Sequence, residues 1–184
     1  MLLGGTSIVE AIGPFHSANG AAFNTFTTKK DVSPQPLPVV LGGKIVRGTK
    51  VGLYANGEFS TTGTPTINLG FWFGTRAGSI TGDIALSSSI TTGTGAAAWP
   101  WIMEWEGFCN GEGTAGTLIG QGKLYLGTSL TAFATPVPIP ITQALRTVTI
   151  DTTIERAMGV SGTWGTSSAS NQIIVNNLKL SIYN

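Results

Sequence analysis

Two glutamates, Glu104 and Glu106, are the residues of this chain whose type and spacing best suit catalysis. On a β-strand, residues two positions apart project from the same face, at a separation of about 7 Å. Two carboxylates at that separation could act on a glycosidic bond, and Trp99, Trp101 and Trp105 could stack on the sugar rings. The same alternation places the tryptophans on the opposite face, however. The pattern therefore favours tryptophans in a core and glutamates at the surface over a glycosidase.

Other catalytic patterns lack the context that their chemistry needs. Gly111, Gly113 and Gly116 match a dinucleotide-binding turn, but that turn must open a helix, and residues 117–127 alternate like a strand. The only histidine, His16, lies in a loop-like stretch, and the chain contains no Gly-x-Ser-x-Gly nucleophile motif. We therefore expect no catalytic residue and interpret the chain as non-enzymatic.

Metal and cofactor sites are not indicated either. A single histidine and a single cysteine, Cys109, cannot assemble a zinc site, and the acidic residues are scattered singly along the chain. Cys109 cannot form an intrachain disulfide, and we expect it to be a small buried hydrophobic residue. A free thiol suits synthesis in a reducing cytoplasm. We expect no metal and no cofactor.

The composition limits the classes of partner. Only 10% of the 184 residues are charged, whereas about 25% is ordinary for a soluble domain. Ten basic and nine acidic residues leave a net charge of +1, too small to attract a phosphate backbone. No apolar run approaches the ~18 residues that a membrane span requires. We therefore predict neither a nucleic-acid nor a membrane partner.

Alternation of apolar and polar residues with a period of two dominates the chain and predicts strands. The clearest pair is 51–60 and 66–73, with the turn residues Gly63 and Pro65 between them. Helical periodicity is almost absent, and the best candidate, 142–146, is one turn at most. Further strands are predicted at 25–31, 82–89, 99–109, 117–127, 145–152, 156–164 and 172–183.

Eight or nine strands without alternating helices predict an all-β fold, an antiparallel β-sandwich of the jelly-roll type. The predicted domain spans residues 24–184. Residues 1–23 show no clear alternation, and we expect them to form an extended N-terminal arm that becomes ordered on a partner.

Apolar residues also occur on the polar side of the predicted central strands. If both faces of a sandwich strand are partly apolar, another layer of the same chain or another subunit must cover the outer face. For a chain of this length we favour another subunit, although single apolar residues are also normal on the surface of a monomer. The candidate subunit or capsid interface consists of Tyr54, Trp72, Ile102, Phe108, Ile119 and Tyr125.

Five stretches between Gly42 and the C-terminus carry a resemblance to known proteins. They are GLYANGEFSTTGTPTINLGFWFG, WPWIMEWEG, GKLYLGTSLTAF, TVTIDTT and, most specifically, the closing SGTWGTSSASNQIIVNNLKLSIYN. These stretches resemble a family of virion structural proteins of tailed bacteriophages, especially those that infect actinobacteria. The resemblance implies a jelly-roll homotrimer mounted on the particle, as a capsid decoration or head-fibre protein. It implies no catalytic residue.

The expected function is therefore that of a trimeric capsid decoration (minor capsid) protein. Such a protein binds the major capsid protein and stabilises the outer surface of the phage head, so its expected location is the exterior of the virion capsid after synthesis in the host cytoplasm. The alternative is a minor tail or receptor-binding jelly-roll protein that recognises cell-surface glycans through exposed tryptophan and tyrosine side chains.

Overall fold

The computed structural model describes residues 10–11, by their backbone alone, and residues 22–183. No α-helix occurs in this part of the chain, and a 3-10 helix, Gln143–Arg146, lies between the tenth and eleventh strands. The all-β prediction is therefore confirmed. The strands are β1 (Glu10–Ala11), β2 (Lys30–Asp31), β3 (Val39–Val40), β4 (Lys50–Ser60), β5 (Thr66–Gly74), β6 (Ile80–Leu86), β7 (Ile90–Thr91), β8 (Trp99–Gly111), β9 (Gly116–Leu126), β10 (Val137–Ile139), β11 (Thr147–Ile150), β12 (Arg156–Trp164) and β13 (Gln172–Tyr183).

The strands form two antiparallel sheets that pack face to face, which confirms the predicted β-sandwich. Sheet A has the strand order β1-β13-β4-β8-β9-β10, and β11 pairs with the other end of β9. Sheet B has the order β2-β12-β5-β6, with β3 beside β12 and β7 beside β5. The jelly-roll connectivity of this sandwich stays a prediction.

The long strands follow the alternation in the sequence, and β12 and β13 have the predicted bounds. The turn predicted at 142–146 is the 3-10 helix. The strand count differs from the predicted eight or nine because the described residues contain thirteen strands, six of them with four residues or fewer. Most of these short strands lie at sheet edges, and two or three paired residues are too few to produce a recognisable alternation.

Tryptophan packing against glycine shapes the space between the sheets. Four of the five tryptophans are at most 1% exposed. A Cβ atom placed on Gly120 or Gly107 would lie 2.3 Å from a ring carbon of Trp105, and one on Gly57 would lie 2.9 Å from Trp101. Packed sheets are only about 10 Å apart. Because these three positions lack a side chain, the indoles can pack closely against the backbone there.

Part of the predicted arm pairs with sheet A. The backbone of Glu10 lies opposite Ile182, and that of Ala11 lies opposite Ser181, in an antiparallel register. Further along, Phe23 exchanges two backbone hydrogen bonds with Ile173, at 3.0 and 3.1 Å. At these points the segment 1–23 belongs to the edge of the sandwich. Its other residues, except Ala22, lie outside the described part of the chain.

Residues 33–40, which we call the strap, cross the outer face of sheet B. Leu37 packs with Trp72 and Ala157 in a buried cluster on that face. The backbone N–H of Val160 donates a 2.7 Å hydrogen bond to Oγ of Ser33, and β3, at the end of the strap, pairs with β12. One face of sheet B is therefore covered by sheet A, and the strap covers the other face around Trp72.

The tryptophan–glycine packing predicts that Gly120→Ala lowers the free energy of unfolding by about 1–3 kcal/mol. The added methyl group would lie 2.3 Å from Trp105 and 2.5 Å from the carbonyl oxygen of Glu106, so the strands must shift. Urea denaturation followed by tryptophan fluorescence measures the change.

Gly63→Ala is the matched control, because no atom lies within 4 Å of the Cβ atom that it adds. Its effect should stay within about 0.5 kcal/mol. Equal stabilities of the two variants would contradict the packing described above.

Candidate functional site

The outer face of sheet A, which we call the open face, has no second layer in the described chain, although Phe133, Pro136 and Pro138 lie at its margin. Along β4, side chains of the inner face such as Val51 and Leu53 are at most 2% exposed, whereas every residue between them is half-buried. The same alternation continues along β8 and β9. The open face therefore contrasts with the strap-covered face of sheet B.

The strand register arranges the open-face side chains in rows that run across the sheet. Neighbours in a row are about 5 Å apart, because that is the spacing of paired strands. One row contains Lys179, Tyr54, Glu104 and Lys123. The next contains Ser181, Gly52, Glu106 and Gln121. We call these two rows the charged rows.

The charged side chains of these rows are not joined to one another by ion pairs. Within the described residues, Glu104, Glu106, Lys123 and Lys179 form no ion pair and no side-chain hydrogen bond. Glu104 and Lys123 face each other across β8 and β9, and both are exposed. The open face thus presents carboxylates on β8, flanked by ammonium groups on either side, to whatever contacts it.

Apolar side chains flank the charged rows on both sides. Phe108, which is 45% exposed, stands opposite Ile119 in the row beyond Glu106. Ile102 stands opposite Tyr125 in the row beyond Glu104, and both are half-buried. We call these two sets the apolar pairs. An apolar border around a polar centre is a surface that a second protein could bury.

Five of the six candidate interface residues are brought together on this face. They belong to β4, β8 and β9, whose order in sheet A makes them neighbours. Tyr125 also contacts Phe133 edge to face, with ring centroids 6.4 Å apart, so its ring is partly covered. The five residues are Tyr54, Ile102, Phe108, Ile119 and Tyr125.

The prediction for the sixth residue, Trp72, is wrong. Trp72 lies on the outer face of sheet B and is 0% exposed, because the strap covers it. The same chain, and not another subunit, therefore covers Trp72. The prolines of the strap indicated an extended connection, but nothing in the sequence showed where that connection lies on the sheet.

A hydrogen-bonded carboxylate anchors the strap beside Trp72. Oδ1 of Asp31 accepts hydrogen bonds from the indole Nε1 of Trp72 at 3.2 Å and from the backbone N and Oγ of Ser33 at 3.0 and 2.6 Å. Burial raises the pKa of Asp31 above its ordinary value of 3.8, and the hydrogen bonds from Ser33 and Trp72 offset part of that rise. The strap therefore rests on a partly desolvated acidic group.

The two glutamates considered for catalysis line one shallow groove on the open face. Trp101 and Trp105 are buried on the other face of β8, as the alternation predicted. Trp99 packs edge to face against Phe59, with the ring centroids 6.1 Å apart. Trp105 is the one tryptophan among the lining residues of the groove, and its indole is buried on the inner face, so the groove has carboxylates but no exposed indole as a platform for a sugar.

The other sequence motifs form no site in the described residues. Gly111 ends β8, Gly113 lies in the turn and Gly116 begins β9, so no helix N-terminus is present there for a pyrophosphate. No group of three metal-ligating side chains occurs in the described ranges, and no helix there is long and apolar enough to span a membrane. His16 lies outside the described residues.

Searches with the whole chain against protein-family models, curated proteins and solved structures gave no match. The open face and the sequence are therefore the features of this chain that bear on its function. Lys123 and Lys179 belong to that face but were not among the candidate residues. The order and register of distant strands place them beside Tyr54 and Glu104, and the local alternation contains no signal for that arrangement.

The anchor of the strap predicts a specific dependence of stability on pH. Because the pKa of Asp31 is higher in the folded chain, its contribution to stability falls as the pH rises through its ordinary pKa of 3.8 and on through its raised pKa in the folded chain. Asp31→Asn keeps an oxygen acceptor but cannot ionise. The free energy of unfolding of this variant, relative to the natural chain, should therefore increase through that pH range.

Asp151→Asn is a control with the opposite sign. Hydrogen bonds from Thr153 lower the pKa of Asp151, so its contribution to stability is lost as the pH falls. Relative to the natural chain, the stability of this variant should decrease as the pH rises. Chemical denaturation at a series of pH values measures both, and parallel curves for the two variants would contradict the assignment.

Proposed function

We propose that this chain is a structural subunit of a bacteriophage virion, which assembles as a homotrimer and decorates the outer surface of the capsid. The single observation that carries the proposal is the open face, where apolar pairs that are exposed or half-buried border charged rows that have no ion-pair partner in the described chain. The resemblance of residues 42–184 to phage virion proteins supplies the biological setting. The low charge of the chain is consistent with a surface buried in an assembly.

Each part of the open face has a role in such an assembly. Burial of Phe108, Ile119, Ile102 and Tyr125 provides free energy of association, at about 25 cal/mol for each Å² of apolar surface. Charged groups at an interface fix the alignment of the two subunits more than they increase affinity, because a displaced partner would place like charges together. The charged rows therefore select one alignment of the partner.

The symmetry of a trimer determines which surface of the neighbouring subunit the open face contacts. In a closed ring of three copies the interface is heterologous, so the open face of one subunit contacts a different surface of the next. An interface of this obligate type buries on the order of 2,000 Å² or more. Contact with the major capsid protein then uses surfaces outside this interface, such as the sheet edges.

Light scattering tests the oligomeric state directly. We expect a particle of three times the 19.0 kDa chain mass, and we expect Ile102→Glu to convert it to monomers because a buried carboxylate would lie within the interface. The variant should keep its near-ultraviolet circular dichroism, because Ile102 is outside the sandwich core. A natural chain that is monomeric at all accessible concentrations would overturn the proposal.

Ile154→Glu is the matched control. Ile154 is 49% exposed and lies between β11 and β12, outside the open face. It should leave the trimer intact, and dissociation of both variants would mean that the open face has no special part in assembly. Sedimentation of the natural chain with phage heads that lack it then tests binding to the capsid.

The alternative function, glycan recognition by a minor tail or receptor-binding protein, would use the same face. Tyr54 lies there beside Glu104 and Lys179. Trp72 is not available for this site, because it is buried beneath the strap on the other sheet. Binding of the natural chain to purified cell-wall glycans, abolished by Tyr54→Ala, would favour this alternative. Head binding that Tyr54→Ala leaves intact would favour decoration.

A further inference from the structure

One end of the open face contains a groove of about 840 Å³, which we call the end groove. A row of the sheet crosses it, with Tyr183, Lys50, Phe108 and Ile119 on β13, β4, β8 and β9. Phe108 is 45% exposed and Tyr183 is 37% exposed, so the described chain leaves apolar surface there in contact with solvent. Small-molecule sites usually have volumes of roughly 300–1,000 Å³ and a mainly apolar lining. The end groove therefore has the size and part of the lining of such a site.

A missing side chain keeps the end groove open beside this row. Gly52 occupies an outward position of β4, between Lys50 and Tyr54. A Cβ atom placed on Gly52 would lie 3.7 Å from Cβ of Ser181 and 4.0 Å from Cε2 of Tyr183, which are ordinary contacts. The packing of the sandwich therefore does not require glycine at this position. The space above Gly52 is available to a ligand.

An arginine without a partner lies at the β9 end of the groove. Arg146 lines the groove and directly precedes Thr147, which pairs with Ile119. Its Nε atom is buried and has no hydrogen-bond partner, and its side chain forms no ion pair within the described residues. A buried donor on a charged group is unfavourable without an acceptor. A ligand that brings an acceptor to Nε therefore relieves that cost.

The charges around the groove favour a singly charged acid. A carboxylate can accept two parallel hydrogen bonds from Nε and one Nη atom of a guanidinium, and such charge-assisted pairs are strong. Lys50, which is exposed and has no ion pair within the described chain, adds a second cation. Glu106 also lines the groove and would repel a second negative charge on the ligand. A carboxylate therefore suits the groove better than a phosphate monoester, which carries about 1.5 to 2 negative charges at neutral pH.

We propose that the end groove binds a carboxylic acid with an apolar tail. The carboxylate pairs with Arg146, and the tail lies over Ile119 and Phe108 beside Gly52, where burial of apolar surface adds to the affinity. All of these residues belong to one chain, so the inference goes beyond the proposed function and does not rest on a trimer. Phe108 and Ile119 also belong to the proposed subunit interface, so the acid and a neighbouring subunit contact the same side chains.

Titration with octanoate, a singly charged acid with a short apolar tail, tests the site. Amide NMR spectra are recorded on the full-length natural chain and on Ile102→Glu, in which we expect no neighbouring subunit to cover the groove. We expect saturable shifts of the amide signals of Gly52, Gly107 and Gly120, which line the groove. Octanol has the same tail but no charge and should bind about tenfold more weakly or worse. Octyl phosphate should also bind more weakly than octanoate.

Two variants separate the contribution of the acid group from that of the tail. Arg146→Gln should weaken octanoate binding about tenfold or more and leave octanol binding unchanged. Its control, Arg76→Gln, removes an exposed guanidinium that is already paired with Glu155 and should change neither. Gly52→Val fills the groove and should weaken the binding of both probes. Gly63→Val is its control, because no atom lies within 4 Å of a Cβ atom at that position.

Each result of these titrations decides the inference. Saturable binding of octanoate at the groove, in either chain and more tightly than octanol or octyl phosphate, supports it. Equal binding of octanoate and octanol, tighter binding of octyl phosphate, or no saturable shift in either chain overturns it. None of these results alters the proposed function, which depends on the mass of the natural chain. Near-ultraviolet circular dichroism shows whether each variant is folded, and the comparison of probes on the natural chain needs no variant.

Discussion

The contact between indole rings and glycine backbone determines the geometry of this sandwich. Trp105 and Trp101 occupy the space that side chains at Gly107, Gly120 and Gly57 would fill. Large aromatic rings bury much apolar area, and the missing side chains let them do so within the usual distance between two sheets. Since the inner face of β8 is filled in this way, its other face is free to carry glutamates.

The two sheets differ in how their outer faces are completed. Sheet B is covered by the strap, whose Leu37 lies on Trp72 and whose Ser33 bonds to β12. Sheet A has no equivalent layer in the described chain, although it carries Phe108 and Ile102 on its outer side. One covered and one uncovered face give the molecule a defined side for association, which a sandwich with two polar outer faces would lack.

Local periodicity predicted the parts of the fold that depend on neighbouring residues. The alternation in β4 and β8 indicated which residues point inward, and it correctly separated Trp101 and Trp105 from Glu104. It could not show that Trp72 is covered, because the strap comes from a distant part of the chain. Nor could it align Lys123 with Glu104, since that depends on the register between strands.

The strap also has a consequence for the order of events during synthesis. It lies between residues 33 and 40, but its partners in β12 begin at Arg156, more than a hundred residues later. At about 5–20 residues per second, the ribosome needs on the order of 5–25 seconds to make the intervening chain. From the time that β5 is made, Trp72 lacks Ala157 of its buried cluster until β12 is made. The nascent chain therefore displays a tryptophan that the finished protein hides, and a chaperone could bind there before β12 emerges.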